Sequence, residues 1–163
     1  MNTPFDHPEP RQVEPGEYPA LDEALALLNR DVAATLPAEG PLGLMALPHW
    51  EDGEPENVYV TRANGEWWGN PVWRGEDDSA GATLSSVADA AQDTITERLW
   101  QAWPVCTLHG LGMHLSSAED GSPAWLCVGK GGDPEHVRAL VGELDTIHRP
   151  HRPNRKRKGK SKG

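Results

Sequence analysis

Seventeen glycines and fifteen prolines interrupt this 163-residue chain, so much of it must be loop and turn. Three segments carry a helical period. In residues 20–36, Leu21, Leu25, Leu28, Val32 and Leu36 fall on one face, and Pro37 and Gly40 stop the helix. Residues 84–101 show the strongest pattern. Leu84, Val87, Ala88, Ala91, Ile95 and Leu99 make a continuous stripe, Thr83 is placed to cap it, and Pro104 follows its end. In residues 134–146, Asp133 stands at the N-cap position and Pro134 at the first helical one. Val137, Leu140, Val141, Leu144 and Ile147 supply its apolar face.

The strand signals are shorter. Leu42–Leu47 is an apolar run between Pro41 and Pro48. Asn64-Gly65 separates two strand-like runs and predicts a β-hairpin with a two-residue turn. That register sets Arg62 opposite Trp67. It puts Tyr59, Thr61 and Trp68 on one face and Val58, Val60, Trp67 and Trp73 on the other. Residues 104–115 and 123–128 read as two further strands around a turn at Glu119–Ser122. The expected fold is α+β: a small Trp-rich antiparallel sheet against helices, with a zinc-ribbon-like hairpin near the C-terminal end. The expected organisation is a flexible arm over 1–18, a single domain over 19–147 and a disordered basic tail over 148–163.

Charge is divided unevenly. Residues 149–163 hold eight of the fifteen Lys and Arg and no acid, whereas all twenty-five Asp and Glu lie in the rest of the chain. An acidic body repels phosphate and favours a basic protein partner. The tail, with Arg155, Lys156, Arg157 and Lys158 at its centre, is the segment able to grip nucleic acid. No apolar run is long enough to cross a membrane, and the N-terminus lacks the pattern of a secretory signal. A cytoplasmic location is expected, with no membrane partner.

Cys106, His109, His114 and Cys127 form the chemically suggestive set, spaced C-x2-H-x4-H-x12-C. Zinc takes four tetrahedral thiolate and imidazole ligands, and C-x2-H delivers two of them from one turn. Gly110 and Gly112 would fold the backbone back toward His114, and the strand over Ala124–Val128 would return Cys127 to the same end. Four protein ligands leave no open position, so zinc here would be structural. The competing reading is that both cysteines are small buried hydrophobes and both histidines satisfy backbone groups.

Trp-Pro-Val-Cys-Thr-Leu-His at 103–109, His114-Leu115 and Ala-Trp-Leu-Cys at 124–127 resemble a pattern in small uncharacterised actinobacterial proteins. There a Trp-Pro-x-Cys segment and a Trp-x-Cys segment, each followed by proline, flank a pair of histidines. The preceding helix and Trp-rich hairpin are also similar, so the likeness spans roughly residues 57–128. Thr107 and Val128 stand where that pattern has proline. The resemblance implies architecture and carries no activity.

Other features are weaker. Gly129-Lys130-Gly131-Gly132 lacks the rest of a phosphate-loop motif and reads as a helix entry. Trp67, Trp68 and Trp73 read chiefly as core aromatics, and alternatively as a stacking platform. Asp77-Asp78 and the Glu51, Asp52, Glu54, Glu56 group read as solvated loop charges. No nucleophile elbow, zinc-protease helix or dinucleotide fingerprint occurs. The expected function is therefore a non-enzymatic interaction module, zinc-stabilised and of inhibitor or immunity type. The alternative is a nucleic-acid-associated accessory protein acting through its tail.

Overall fold

The computed structural model describes residues 9–49, 51–72 and 79–146. In chain order the elements are β1 (Arg11–Gln12), α1 (Pro19–Thr35), β2 (Gly43–Leu47), β3 (Asn57–Thr61), α2 (Ala80–Leu99), β4 (His114–Ser117), β5 (Pro123–Cys127) and β6 (His136–Leu140). A 3-10 turn over Leu144–Thr146 follows. The strands form two antiparallel sheets, β1-β2-β3 and β4-β5-β6. The fold is α+β, as the sequence predicts.

The two helices pack on each other through their apolar faces. Leu21, Ala24, Leu25, Leu28 and Val32 are buried on α1, and Val87, Ala88, Ala91 and Ile95 on α2. These side chains join Val58 and Val60 of β3 and Trp125 and Cys127 of β5 in one continuous core. Trp103 and Trp125 meet edge to face with ring centroids 5.6 Å apart, a favoured aromatic geometry. Trp103 also donates its indole N–H to Thr35 Oγ1 at 2.8 Å. Tryptophan thus serves as the large core aromatic of the C-terminal half.

Several elements differ from the sequence reading. Helix α2 begins four residues earlier, because the Ser79 hydroxyl accepts from Ala82 N–H and caps it in place of Thr83. Residues within the expected N-terminal arm join the first sheet. Arg11 and Gln12 pair with Ala46 and Met45, and the Arg11 guanidinium is clasped by Glu17 and Glu56. The Asn64-Gly65 turn is present, with three residues in its loop. Arg62 N–H donates to Glu66 C=O at 2.7 Å, and Gly65 takes a φ of +91°.

Over the described residues 67–72 no second strand forms, and a single backbone bond, Val72 N–H to Val58 C=O at 2.8 Å, returns to β3. Trp68 N–H instead donates to Thr94 Oγ1 on α2, and that hydroxyl is within hydrogen-bonding distance of the carbonyls of Trp68 and Val60. Freed from the ladder, Trp67 stacks on Tyr59 at 4.2 Å, although the hairpin register put them on opposite faces.

The third expected helix is a strand. Its i, i+3 spacing arises from a β-bulge: Val137 pairs with Leu126, Ala139 with Trp125 and Leu140 with Ala124, which leaves Arg138 as the extra residue. The bulge returns Val137 and Leu140 to one side of the sheet three residues apart, which mimics a helical period. Gly142, at φ +96°, turns the chain after the strand.

One buried carboxyl group ties α1 to β5 and to the segment after β6. Asp31 sits on the apolar face of α1 with no exposure to solvent. Its carboxylate accepts from Trp125 Nε1 at 2.9 Å, Gly142 N at 2.8 Å and Leu144 N at 2.9 Å. Burial pushes its pKa up against the pull of those three donors.

Candidate metal centre

The segment between α2 and β4 is a tight loop. Met113 N–H donates to Pro104 C=O, Cys106 N–H to Leu111 C=O, and Gly110 N–H to Cys106 C=O. Gln92 of α2 anchors the loop's two ends by donating to the carbonyls of Trp103 and Met113 at 3.1 and 2.7 Å. Inside it, Gly110 takes a φ of +70°, so the turn carries His109 back beside Cys106 as C-x2-H requires. Arg138, the bulge residue, donates to Thr107 Oγ1 at 3.1 Å and holds the same turn from the sheet.

The other two members come from the ladder itself. Cys127 on β5 and His136 on β6 are register partners, and paired residues project from the same side of a sheet. The resulting cluster is Cys106, His109, Cys127 and His136, with one donor atom from each lying within 4.8 Å of the others. Such a group can hold a metal ion.

His114 is a correction to the predicted set. It pairs with Leu126, the neighbour of Cys127, and adjacent residues of a strand point to opposite sides. His114 is therefore turned away from both thiols and is solvent-exposed. Gly110 and Gly112 do fold the loop back, but they return it to β4 in the wrong phase for His114 to reach the cysteines. His136 was hidden from the sequence reading because residues 134–146 carried a helical period.

Three of the six donor–donor spacings are close to tetrahedral edges. Zinc–sulfur bonds of about 2.3 Å and zinc–nitrogen bonds of about 2.0 Å imply tetrahedral edges of about 3.3–3.8 Å. Cys106 Sγ lies 3.7 Å from His109 Nδ1 and 3.9 Å from His136 Nε2, and Cys127 Sγ lies 3.4 Å from His109 Nδ1. Both cysteines are free of disulfides and fully buried.

Electrostatics favour the charged thiolate that a metal needs. Burial opposes ionisation of Cys106. The backbone N–H groups of His109 and Leu108 and the side chains of His109 and Cys127 outweigh it, bringing the thiol down to about 6. The His109 pKa is raised, chiefly by the Asp133 carboxylate and then by Cys106, so a metal would have to displace a proton from this ring. Two cysteine sulfurs with two imidazoles form a soft donor set able to hold a metal ion.

The remaining sequence candidates fall elsewhere. Trp67 is part-buried against Tyr59, while Trp68 is 49% exposed beside α2. Trp73, Asp77-Asp78 and the basic residues Arg155, Lys156, Arg157 and Lys158 lie outside the described residues. Glu51, Asp52 and Glu54 are exposed, and Glu56 is bonded to Arg11 and Tyr18. The Gly129–Gly132 segment leads into β6 beside the cluster and enters no helix. Among the described residues, no helix is long and apolar enough to cross a membrane. Comparison with family models, with curated proteins and with solved structures finds no match to this chain.

Proposed function

We propose that this chain is a non-enzymatic interaction module whose C-terminal sheet is closed by one structural zinc ion at Cys106, His109, Cys127 and His136. The observation that carries the reading is the near-tetrahedral spacing of two sulfurs and two nitrogens, 3.4–3.9 Å across the three edges described above. Zinc is preferred over harder ions because the set contains two thiols and no carboxylate. With all four positions filled by protein, no site is left for a water or substrate. The ion would act by stability rather than by chemistry.

Its structural value is geometric. The four residues come from the loop before β4, from β5 and from β6. One ion would tie the 104–113 loop to β5 and β6. Metal binding is then part of the folding free energy of this half.

The charge division supports a basic protein as the partner, since opposite charge speeds encounter and rejects acidic competitors. An inhibitor or immunity-type role fits that chemistry.

The decisive experiment is elemental analysis of the purified full chain under reducing conditions, with Cys127→Ser as control. One zinc per wild-type chain and a large loss in the variant are expected. A wild-type chain free of zinc, and unable to take it up, would remove the proposal. For the partner, binding that weakens steeply with salt and survives deletion of 149–163 supports the acidic body. Loss of binding on that deletion would instead favour nucleic-acid association through the tail.

A further inference from the structure

We infer that the Gly129–Pro134 loop is the outer shell of the metal centre and that it fixes the two histidines as opposite ring tautomers. The inference rests on the metal reading above and concerns how the site is oriented. Asp133 is the positioning residue at its centre.

Three ligands are contacted by this single loop. Gly129 N–H donates to Cys127 Sγ at 3.4 Å. Asp133 Oδ2 lies 2.7 Å from His109 Nε2. Pro134 C=O lies 3.3 Å from His136 Nδ1. A carbonyl and an ionised carboxylate can only accept, so each facing ring nitrogen must carry the proton. In the neutral imidazole that a metal binds, that leaves His109 with Nδ1 unprotonated and His136 with Nε2 unprotonated. Those are the two nitrogens turned toward the sulfurs, at 3.4 and 3.7 Å for His109 and 3.9 Å for His136. The nitrogens that the outer contacts leave free are thus the ones that face the sulfurs.

The loop is closed too tightly to be incidental. Gly129 takes a φ of +86°, and a Cβ there would lie 2.2 Å from Asp133 O and 2.6 Å from Pro134 O. Glycine at 129 lets the chain double back so that the next five residues can reach both imidazoles. The glycine-rich segment is therefore explained by the metal centre, with no phosphate required.

The test uses the full chain loaded with zinc, compared with Asp133→Ala and Asp133→Asn. Asp133 is two-thirds exposed, so neither variant removes core packing. Loss of an outer-shell partner costs metal affinity about 10- to 100-fold. That drop is expected for Asp133→Ala in chelator competition, with partial rescue in Asp133→Asn, whose amide oxygen still accepts. Nitrogen-15 spectra of the imidazoles supply the readout that a structural role would not move. His109 should be metallated at Nδ1 and His136 at Nε2, and Asp133→Ala should expose the His109 Nε2 proton to fast exchange while His136 is unchanged. Wild type with one zinc but His109 bound through Nε2, or Asp133→Ala with unaltered affinity and spectra, would overturn this inference alone. A wild-type chain that takes up no zinc would overturn the metal centre beneath it.

Discussion

Replacing Asp31 tests the core argument most sharply, because three donors converge on it from chain positions 94 to 113 residues away. In Asp31→Ala the Trp125 indole and the Gly142 and Leu144 amides all lose their acceptor. Each unsatisfied buried donor costs about 1–3 kcal/mol. Three stranded donors sum to about 3–9 kcal/mol, and relief of the desolvated carboxyl group brings the net loss to the lower end, about 3–5 kcal/mol. Against a typical domain stability of about 5–15 kcal/mol, that is a large fraction. Asp31→Asn retains an acceptor for two donors but turns an NH2 toward a third, at a cost of about 1–3 kcal/mol. Trp125→Phe removes a single donor and places a smaller ring in the core. Urea unfolding with the m-value held constant measures all three. The pH dependence has a definite sign. Burial raises the folded pKa of Asp31 above its unfolded value, so its contribution is full below the unfolded pKa and is lost as pH rises through the folded one. The advantage of wild type over Asp31→Asn should therefore shrink from acid toward neutral pH. An Asp31→Ala chain within about 0.5 kcal/mol of wild type, the scale of an ordinary surface change, would refute the reasoning.

Two further outcomes follow from single positions. Thr94→Val keeps the side-chain shape but strands Trp68 N–H, and a loss of about 1–2 kcal/mol is expected in thermal or urea unfolding; tryptophan fluorescence should report release of the 66–70 segment. Gly129→Ala forces a positive φ and a 2.2 Å clash with backbone, so it should destabilise the zinc-loaded chain by about 1–3 kcal/mol and speed metal loss to a chelator.

What could be read from the sequence divides by how local the cause is. Helices α1 and α2 and strand β2 were legible because their residues state their period without reference to neighbours. The hairpin after β3 failed because Thr94, twenty-six residues away, takes the backbone hydrogen bonds a second strand would have used. Strand β6 failed because one extra residue, Arg138, converts a period of two into an apparent i, i+3 repeat. The same misreading concealed His136 and left His114 as the only remaining histidine near the cysteines. Cys106, His109 and Cys127 were identifiable from type and spacing. Alternation from Leu126 to Cys127 would have argued against His114 once β4 and β5 were paired. Asp31 had a visible signal as well: an acidic residue three positions after Leu28 on an apolar face demands buried donors.

His136, and not His114, completes the proposed site. Zinc content of His114→Ala and His136→Ala, measured beside wild type under reducing conditions, compares the two directly. The proposed centre predicts one zinc per chain in wild type and in His114→Ala, and a large loss in His136→Ala with a lower unfolding temperature. Zinc retained by His136→Ala but lost from His114→Ala, or no zinc in any of the three, would contradict it.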